Sequence, residues 1–301
     1  MRSVFRCHPI IYGALLALCM ALFGAFPALA GPDAPATDKT GILLVSFGTS
    51  VPEARKAFDD MDAAVREAFP GVTVRWAFTS NIIRNKLEKQ GLHTDSVPVA
   101  LARMLEDGFT HLAVQSLHAI PGEEFNHKLV QEVTRFSGPG GFAKLSIGQP
   151  LMSSHEDMVR VANAVLAVTA AQRAPDEALV LMGHGTHHPA NIYYPALQWY
   201  LERHDPLAFV GTVEGAPDLD WLLSQLKNMV VRKVLMVPLM SVAGDHARND
   251  MAGEEPDSWK SVFAEAGITS RSVLHGLAEY PEFRAIWLDH LRKAMLALDG
   301  E

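Results

Sequence analysis

Short apolar runs alternate with amphipathic stretches along this chain from Gly41 onward. Apolar runs of this length are typical of buried parallel strands, and apolar residues recurring at helical spacing indicate amphipathic helices. Eight strands are predicted, at Ile42–Phe47, Val72–Phe78, His111–Leu117, Lys144–Ile147, Ala178–Met182, Ala208–Val213, Lys233–Leu239 and Ser270–Val273. Nine helices are predicted, at Val51–Ala68, Asn81–Gln90, Val97–Asp107, Phe125–Phe136, Glu156–Ala171, Tyr194–His204, Leu219–Met229, Trp259–Ala266 and Pro281–Ala297. Alternation of these elements predicts an α/β fold of doubly wound parallel sheets.

The second half of the chain repeats the pattern of the first. The segment Ile42–Ser50 aligns with Leu179–His187, and the segment that begins at His111 aligns with the one that begins at Lys233. This alignment places His184, Glu214 and His246 where the first half has Phe47, Ser80 and Glu124. We therefore expect two similar domains, over residues 41–172 and 173–301, that face each other across a cleft, with the second domain specialised for metal.

The first 30 residues have the composition of a secretory signal peptide. Arg2 and Arg6 form a basic region, Ile10–Phe26 is apolar and uncharged, and Ala28-Leu-Ala30 is a small-x-small cleavage site. We expect cleavage after Ala30, a loose leader over residues 31–40, and a periplasmic protein without a membrane span after processing. A membrane anchor is the alternative, but the apolar run is short and ends in a processing site.

Composition narrows the chemistry. Both cysteines, Cys7 and Cys19, lie in the predicted signal peptide, so a metal site in the mature chain must use His, Asp and Glu. Removal of the signal leaves 24 basic against 34 acidic side chains. This acidic balance argues against nucleic acid as a partner.

Histidines follow two of the predicted strands of the second half. His184 lies in Gly183-His-Gly-Thr-His187, His246 lies in Gly244-Asp-His-Ala-Arg, and Glu214 follows the strand between them. In open α/β sheets ligands bind beyond the carboxyl ends of the strands. Two imidazoles and a carboxylate there would suit Fe, Co, Ni or Zn and leave coordination positions open. The alternative for each residue is a hydrogen-bonded structural role at a strand end. The spaced glycines of a phosphate loop and the Gly-x-Ser-x-Gly of a serine hydrolase are both missing.

These motifs resemble those of the anaerobic cobaltochelatases, which are class II chelatases of the ferrochelatase-like superfamily. The resemblance is carried by Gly183–His187, the isolated Glu214 and Pro238–Met251, and it extends to Leu44–Ser50, Ser116–Glu124 and Ala252–Lys260. It covers about residues 41–296. It implies insertion of Co²⁺ into the tetrapyrrole sirohydrochlorin without ATP or an organic cofactor. It also implies that His184, Glu214 and His246 bind the metal. The chemistry agrees, because a neutral imidazole can hold the ion weakly and accept a pyrrole proton, and a nearby carboxylate can relay that proton outward. For the exported chain we add Fe²⁺ as a second substrate metal.

Further residues are candidates for secondary roles. Substrate carboxylates would need donors, for which we consider Arg84, Lys86 and Arg248, although a solvated helix face is the alternative for each. Ser50 and Glu124 complete the candidate substrate-binding set. His118 and His127 are candidate ligands of a haem or a second metal, against ordinary structural and surface roles.

The sequence also leaves open a function other than catalysis, and it raises the question of the oligomeric state. Two α/β domains around a cleft are also the plan of exported solute-binding receptors, so a metal- or tetrapyrrole-binding receptor without turnover is the alternative function. We also expect a homo-oligomer, since most soluble oligomers are assemblies of identical chains.

Overall fold

Two parallel sheets of four strands organise the part of the chain that the structure, a computed structural model, describes: residues 38–300. The first sheet has the strand order β2-β1-β3-β4 and the second has the order β6-β5-β7-β8. The strands are β1 Thr40–Ser46, β2 Thr73–Phe78, β3 His111–Ser116, β4 Lys144–Gly148, β5 Ala178–Gly185, β6 Ala208–Glu214, β7 Lys233–Pro238 and β8 Thr269–Ser272. All of the recorded pairings between them are parallel.

Helices connect successive strands and cover the sheets. The α-helices are α1 Lys56–Ala68, α2 Asn81–Lys89, α3 Val97–Glu106, α4 Glu123–Phe125, α5 Gln131–Thr134, α6 His155–Ala170, α7 Tyr193–Glu202, α8 Leu219–Asn228, α9 Trp259–Glu265 and α10 Pro281–Asp299. Short 3₁₀ helices cover Glu53–Arg55, Pro189–Ile192 and Leu277–Glu279. Two π-helices, π1 Asn126–Val130 and π2 His246–Met251, follow β3 and β7.

The predicted α/β class is confirmed, and every predicted strand is present within a few residues of its expected ends. Two predictions are wrong in detail. The strand expected at Ala178–Met182 continues to Gly185, because Gly185 still pairs with Glu214 of β6. The helix expected at Phe125–Phe136 is interrupted by π1 between two short α-helical segments.

The internal duplication holds at the level of strand register. Ser46 of β1 pairs with Phe78 of β2, and its aligned residue Gly183 pairs with Thr212 of β6. These pairs continue to Ser80 and Glu214, which the alignment places at equivalent positions. A π-helix after the third strand of each sheet adds a further shared feature. The two sheets are therefore two copies of one folding unit.

One hydrophobic core is shared by both sheets. Ile42 and Leu44 of β1, and Leu179 and Leu181 of β5, contribute alternate side chains to this common cluster. The intervening side chains of each strand pack on separate outer layers, as expected for strands buried on both faces. α10 returns from the second half to pack on β3 and β4. The division near residue 172 stays a prediction.

The sequence-based predictions for the N-terminal end concern residues that the structure largely does not describe. The predicted signal peptide and most of the 31–40 leader lie outside the described residues. Within residues 38–300, no helix is both long and apolar enough to cross a membrane.

Candidate metal centre

His184 and His246 meet at the carboxyl edge of the second sheet. His184 is the penultimate residue of β5, and His246 is the first residue of π2. Their ring centroids lie 4.6 Å apart and the rings are perpendicular. Both side chains are partly exposed, so the pair is open to a ligand that arrives from solvent.

Hydrogen bonds fix which ring nitrogen of each histidine is available. His184 Nδ1 lies 2.8 Å from the carbonyl oxygen of Gly185, and His246 Nδ1 lies 2.5 Å from Oδ2 of Asp250. Carbonyl and carboxylate oxygens accept hydrogen bonds, so both Nδ1 atoms carry the proton. In each neutral ring the lone pair is then on Nε2, which is the arrangement typical of a metal-binding histidine. The pair therefore presents two nitrogen donors to one region.

The turn after β5 is held by glycine and by a buried tyrosine. Gly185 has φ +79°, and a Cβ atom there would lie 1.8 Å from the carbonyl oxygen of Glu214, so only glycine fits. A Cβ atom at Gly183 would lie 2.3 Å from Cε1 of Tyr194. Burial raises the pKa of Tyr194 to about 12, although the backbone N–H groups of Gly185 and His184 lower it in part. Tyr194 therefore supports the backbone that carries His184.

Asn191 joins the turns that follow β5 and β6. Its Oδ1 accepts a hydrogen bond of 3.1 Å from the backbone N–H of Thr186, and its Nδ2 donates one of 2.6 Å to the carbonyl oxygen of Ala216. Glu214 lies at the end of β6, in register with Gly185. Asn191 thus fixes the Glu214 backbone relative to the His184 backbone.

The structure brings together two of the three predicted ligands. The Glu214 side chain is exposed, and no group of three His, Cys, Asp or Glu side chains within residues 38–300 is arranged to hold an ion. The backbone of Glu214 is adjacent, but its carboxylate is not placed with the histidines. Its role as a third ligand stays a prediction.

The predicted substrate-binding residues are mostly engaged by neighbours. Lys86 Nζ lies 2.7 Å from Oδ2 of Asp245, which joins α2 of the first half to the residue before His246. Arg84 donates to the side-chain oxygen of Asn81, and Arg248 Nε donates to the carbonyl oxygen of Ala243 at 3.3 Å.

Two further candidates lie in the first half. Ser50 is buried and its carbonyl oxygen accepts from the Arg55 side chain. Glu124 pairs with Lys128, while its second oxygen is buried without a hydrogen-bond partner among the described residues.

His118 and His127 have different surroundings. His118 Nδ1 lies 2.9 Å from Ser116 Oγ, and its Nε2 is buried without a partner in the described region. Burial lowers the pKa of His118 to about 4, against the charge of Glu124, which raises it. His127 is exposed on π1, and its ring lies edge-on to His188 with centroids 6.1 Å apart. A haem or second-metal role for either histidine stays a prediction.

Sequence reasoning missed two polar side chains of this region. Asp250 follows His246 by four residues, a spacing that places two side chains on one helix face and would have identified it. Asn191 gave no comparable signal, because its partners are backbone groups of two turns that only the fold brings close. His188 extends the histidine cluster of the sequence, and the structure places it at the start of the 3₁₀ helix Pro189–Ile192.

Comparison with known proteins gives one consistent result. The sequence matches the family model for cobalt chelatase (CbiK) over residues 40–296. It is 47% identical over 261 residues to the sirohydrochlorin cobaltochelatase CbiKC of Nitratidesulfovibrio vulgaris, covering 87% of this chain and 92% of that protein. It is 38% identical over 259 residues to the sirohydrochlorin cobaltochelatase of Salmonella typhimurium, covering 85% and 97%. Its fold is similar to that of Bacillus subtilis SirB with Fe³⁺, with a TM-score of 0.62, 17% identity, and coverage of 87% of this chain and 98% of SirB.

Proposed function

The chain belongs to the CbiK cobalt chelatase family, and from this premise we propose that it inserts Co²⁺ into sirohydrochlorin without ATP or an organic cofactor. The reaction exchanges two pyrrole N–H protons of the macrocycle for one divalent ion. The protein must therefore hold a partly dehydrated ion and receive protons in the same place. The observation that carries the proposal is the contact between His184 and His246, whose Nε2 atoms have no hydrogen-bond partner among residues 38–300.

The donor set suits an ion that has to leave. Neutral imidazole nitrogens bind cobalt and iron, and two of them leave most coordination positions for water or for the macrocycle. The Glu214 carboxylate completes the set in our proposal by a rotation of an exposed side chain at the end of β6. Because the protein coordinates the ion weakly, the ion can transfer to the four ring nitrogens of the tetrapyrrole.

The pyrrole protons pass to the same imidazoles. An Nε2 atom that binds no metal accepts a proton, and the ring then carries a positive charge. For His246 this charge lies beside the Asp250 carboxylate, which already accepts the hydrogen bond from Nδ1. Asp250 therefore stabilises the imidazolium form of His246.

The macrocycle enters, in this proposal, where the strand ends of the two halves face each other. Three contacts support this placement: the Lys86–Asp245 ion pair, the approach of Gly244 to Thr49, and the edge-to-face pair of His127 and His188. Each joins a residue of the first half to one of the second. A flat ligand in this region reaches the Nε2 atoms of the metal centre.

The test is the visible spectrum of sirohydrochlorin mixed with Co²⁺ and catalytic amounts of protein. We expect rapid conversion to the cobalt complex, slowed at least about 100-fold by His184→Ala or His246→Ala. His204→Ala, at an exposed position in the turn after α7, is the matched control and should keep the full rate. A wild-type rate equal to that without protein would overturn the proposal, and tight stoichiometric binding would then favour the receptor alternative. Replacing Co²⁺ by Fe²⁺ tests the second metal.

We also propose a periplasmic location, on the basis of the N-terminal sequence. Cell fractionation with N-terminal sequencing tests it. A periplasmic protein that begins at Gly31 supports it, and a cytoplasmic protein that retains residues 1–30 contradicts it.

A further inference from the structure

His188 lies between the two halves of the molecule, four residues after His184. It stands on the turn that follows β5, directly before the 3₁₀ helix Pro189–Ile192. Its ring meets that of His127, which belongs to π1 of the first half. His188 is partly exposed and His127 is exposed, so a ligand between the halves can contact both rings.

The hydrogen bonds of His188 are the reverse of those of His184 and His246. Its Nδ1 accepts a hydrogen bond of 3.1 Å from the backbone N–H of Ala190. A ring nitrogen that accepts carries no proton, so the proton of the neutral ring is on Nε2. No hydrogen-bond partner of Nε2 lies within residues 38–300. The free nitrogen of His188 is thus a donor, while those of the other two histidines are acceptors.

A free N–H group does not bind a metal ion. For Nε2 of His188 to become a ligand, the proton would have to move to Nδ1, which would break the hydrogen bond from Ala190. A hydrogen-bond acceptor on the substrate is therefore the better partner. This argument rests on the proposed function, because sirohydrochlorin bears carboxylates around its rim.

We propose that His188 binds a rim carboxylate of the tetrapyrrole through Nε2–H. The cationic side chains considered for this role already have partners. Lys86 pairs with Asp245, Arg84 donates to Asn81, and Arg248 donates through Nε to the carbonyl oxygen of Ala243. His188 supplies a donor whose direction is fixed by the backbone of the turn that also carries His184. It thereby positions the macrocycle relative to the metal centre and is a positioning residue.

Two substitutions distinguish the contribution of the Nδ1 atom of His188 from that of its Nε2 atom. His188→Asn keeps an acceptor near the place of Nδ1, where asparagine is a favourable N-cap residue, but it removes the Nε2 donor. His188→Gln places an amide N–H near the position of Nε2 and weakens the cap. His187→Asn, at the exposed neighbouring residue, is the matched control.

The measurement is the Kd of metal-free sirohydrochlorin by spectral titration, with KM values for both substrates. We expect His188→Asn to raise the Kd and the KM for sirohydrochlorin about tenfold, as for loss of one hydrogen bond to a charged group. The KM for Co²⁺ should not change, His188→Gln should recover most of the binding, and His187→Asn should bind like the wild type.

Several outcomes overturn the inference. One is a wild-type Kd in His188→Asn, and another is a raised KM for Co²⁺ with unchanged sirohydrochlorin binding. Equal losses in the Asn and Gln variants would point to the turn and not to the donor. If the wild-type protein binds sirohydrochlorin but does not form the cobalt complex, the proposed function is contradicted, while the role of His188 is still tested by the binding measurement. If the wild-type protein does not bind sirohydrochlorin, both the proposed function and the role of His188 are contradicted.

Discussion

The Nδ1–H groups of His184 and His246 donate to different kinds of acceptor, and we infer that the two histidines therefore have different roles. The Nδ1–H of His184 donates to a neutral carbonyl, and that of His246 donates to a carboxylate. A carboxylate stabilises an imidazolium much more than a carbonyl does. We therefore expect His246 to accept the first pyrrole proton while His184 holds the ion, and His184 to accept the second once the ion has moved to the macrocycle.

Substitution of Asp250 tests this division. We expect Asp250→Ala to lower kcat about 10- to 100-fold, the usual effect of removing a carboxylate behind a metal-site histidine. Asp250→Asn keeps the hydrogen bond without the charge, and its kcat should lie between those of the wild type and of Asp250→Ala. The measurement is the initial rate of cobalt complex formation, with melting temperature as the check on folding. Asp257→Ala, at an exposed loop position, is the control, and equal rates in all four proteins would contradict the assignment.

His118 makes the stability of the protein depend on pH. Its pKa is lowered to about 4 from 6.5, chiefly by burial, so the unfolded chain binds more protons than the folded one between these values. Stability therefore rises with pH through this window and is lost as the pH falls below 6.5. The expected loss between pH 7 and pH 5 is about 2 kcal/mol for this group alone.

Urea denaturation at the two pH values measures this effect. His118→Gln cannot be protonated, so its pH dependence should be flatter than that of the wild type by about 2 kcal/mol. His204→Gln alters an exposed histidine and should leave the dependence as it is. The idea fails if His118→Gln and the wild type lose the same free energy of unfolding on acidification.

At the scale of elements, Asn191 connects two strand ends that each carry a predicted ligand. Asn191→Ala leaves the N–H of Thr186 and the carbonyl of Ala216 without their partner. We expect a destabilisation of about 1–3 kcal/mol and a several-fold fall in kcat/KM, because Glu214 is no longer fixed relative to His184. Denaturation and Co²⁺ insertion kinetics measure the two effects. Asn228→Ala, at the exposed end of α8, is the control, and full activity in Asn191→Ala would show that the connection is dispensable.

The sequence predicted the elements better than their irregular parts. Apolar runs marked the central strands β1, β3, β5 and β7 because these are buried on both faces and need little alternation, whereas the edge strands β4 and β8 are partly exposed. The π-helices escaped prediction, since a π turn is selected by packing around it and not by hydrophobic period. The contact of His184 with His246 could be predicted, because parallel strands end at one edge. The Lys86–Asp245 pair could not, since it joins residues 159 apart in sequence.

At the scale of the whole molecule, α10 binds the second half to the first. Phe283, Trp287 and Leu291 of this helix are buried in the core that both sheets share. His290, also buried, bonds through Nδ1 to the carbonyl oxygen of Gln149 and through Nε2 to Oδ1 of Asp157, at 3.0 Å each. Both partners lie outside the second sheet, so α10 packs against the first half of the molecule.

Because one core serves both sheets, a defect at this junction should weaken both. His290→Ala removes the imidazole partner of the buried Asp157 carboxylate, which in the described part of the chain keeps only a 3.3 Å hydrogen bond from the N–H of Ser153. We expect a loss of about 3 kcal/mol in the free energy of unfolding. Native-state hydrogen exchange should show the same loss of protection in β1 and in β5, while His204→Ala changes neither. Loss of protection confined to β1 would mean that the halves unfold independently and that the metal centre on the second sheet is insulated from the junction.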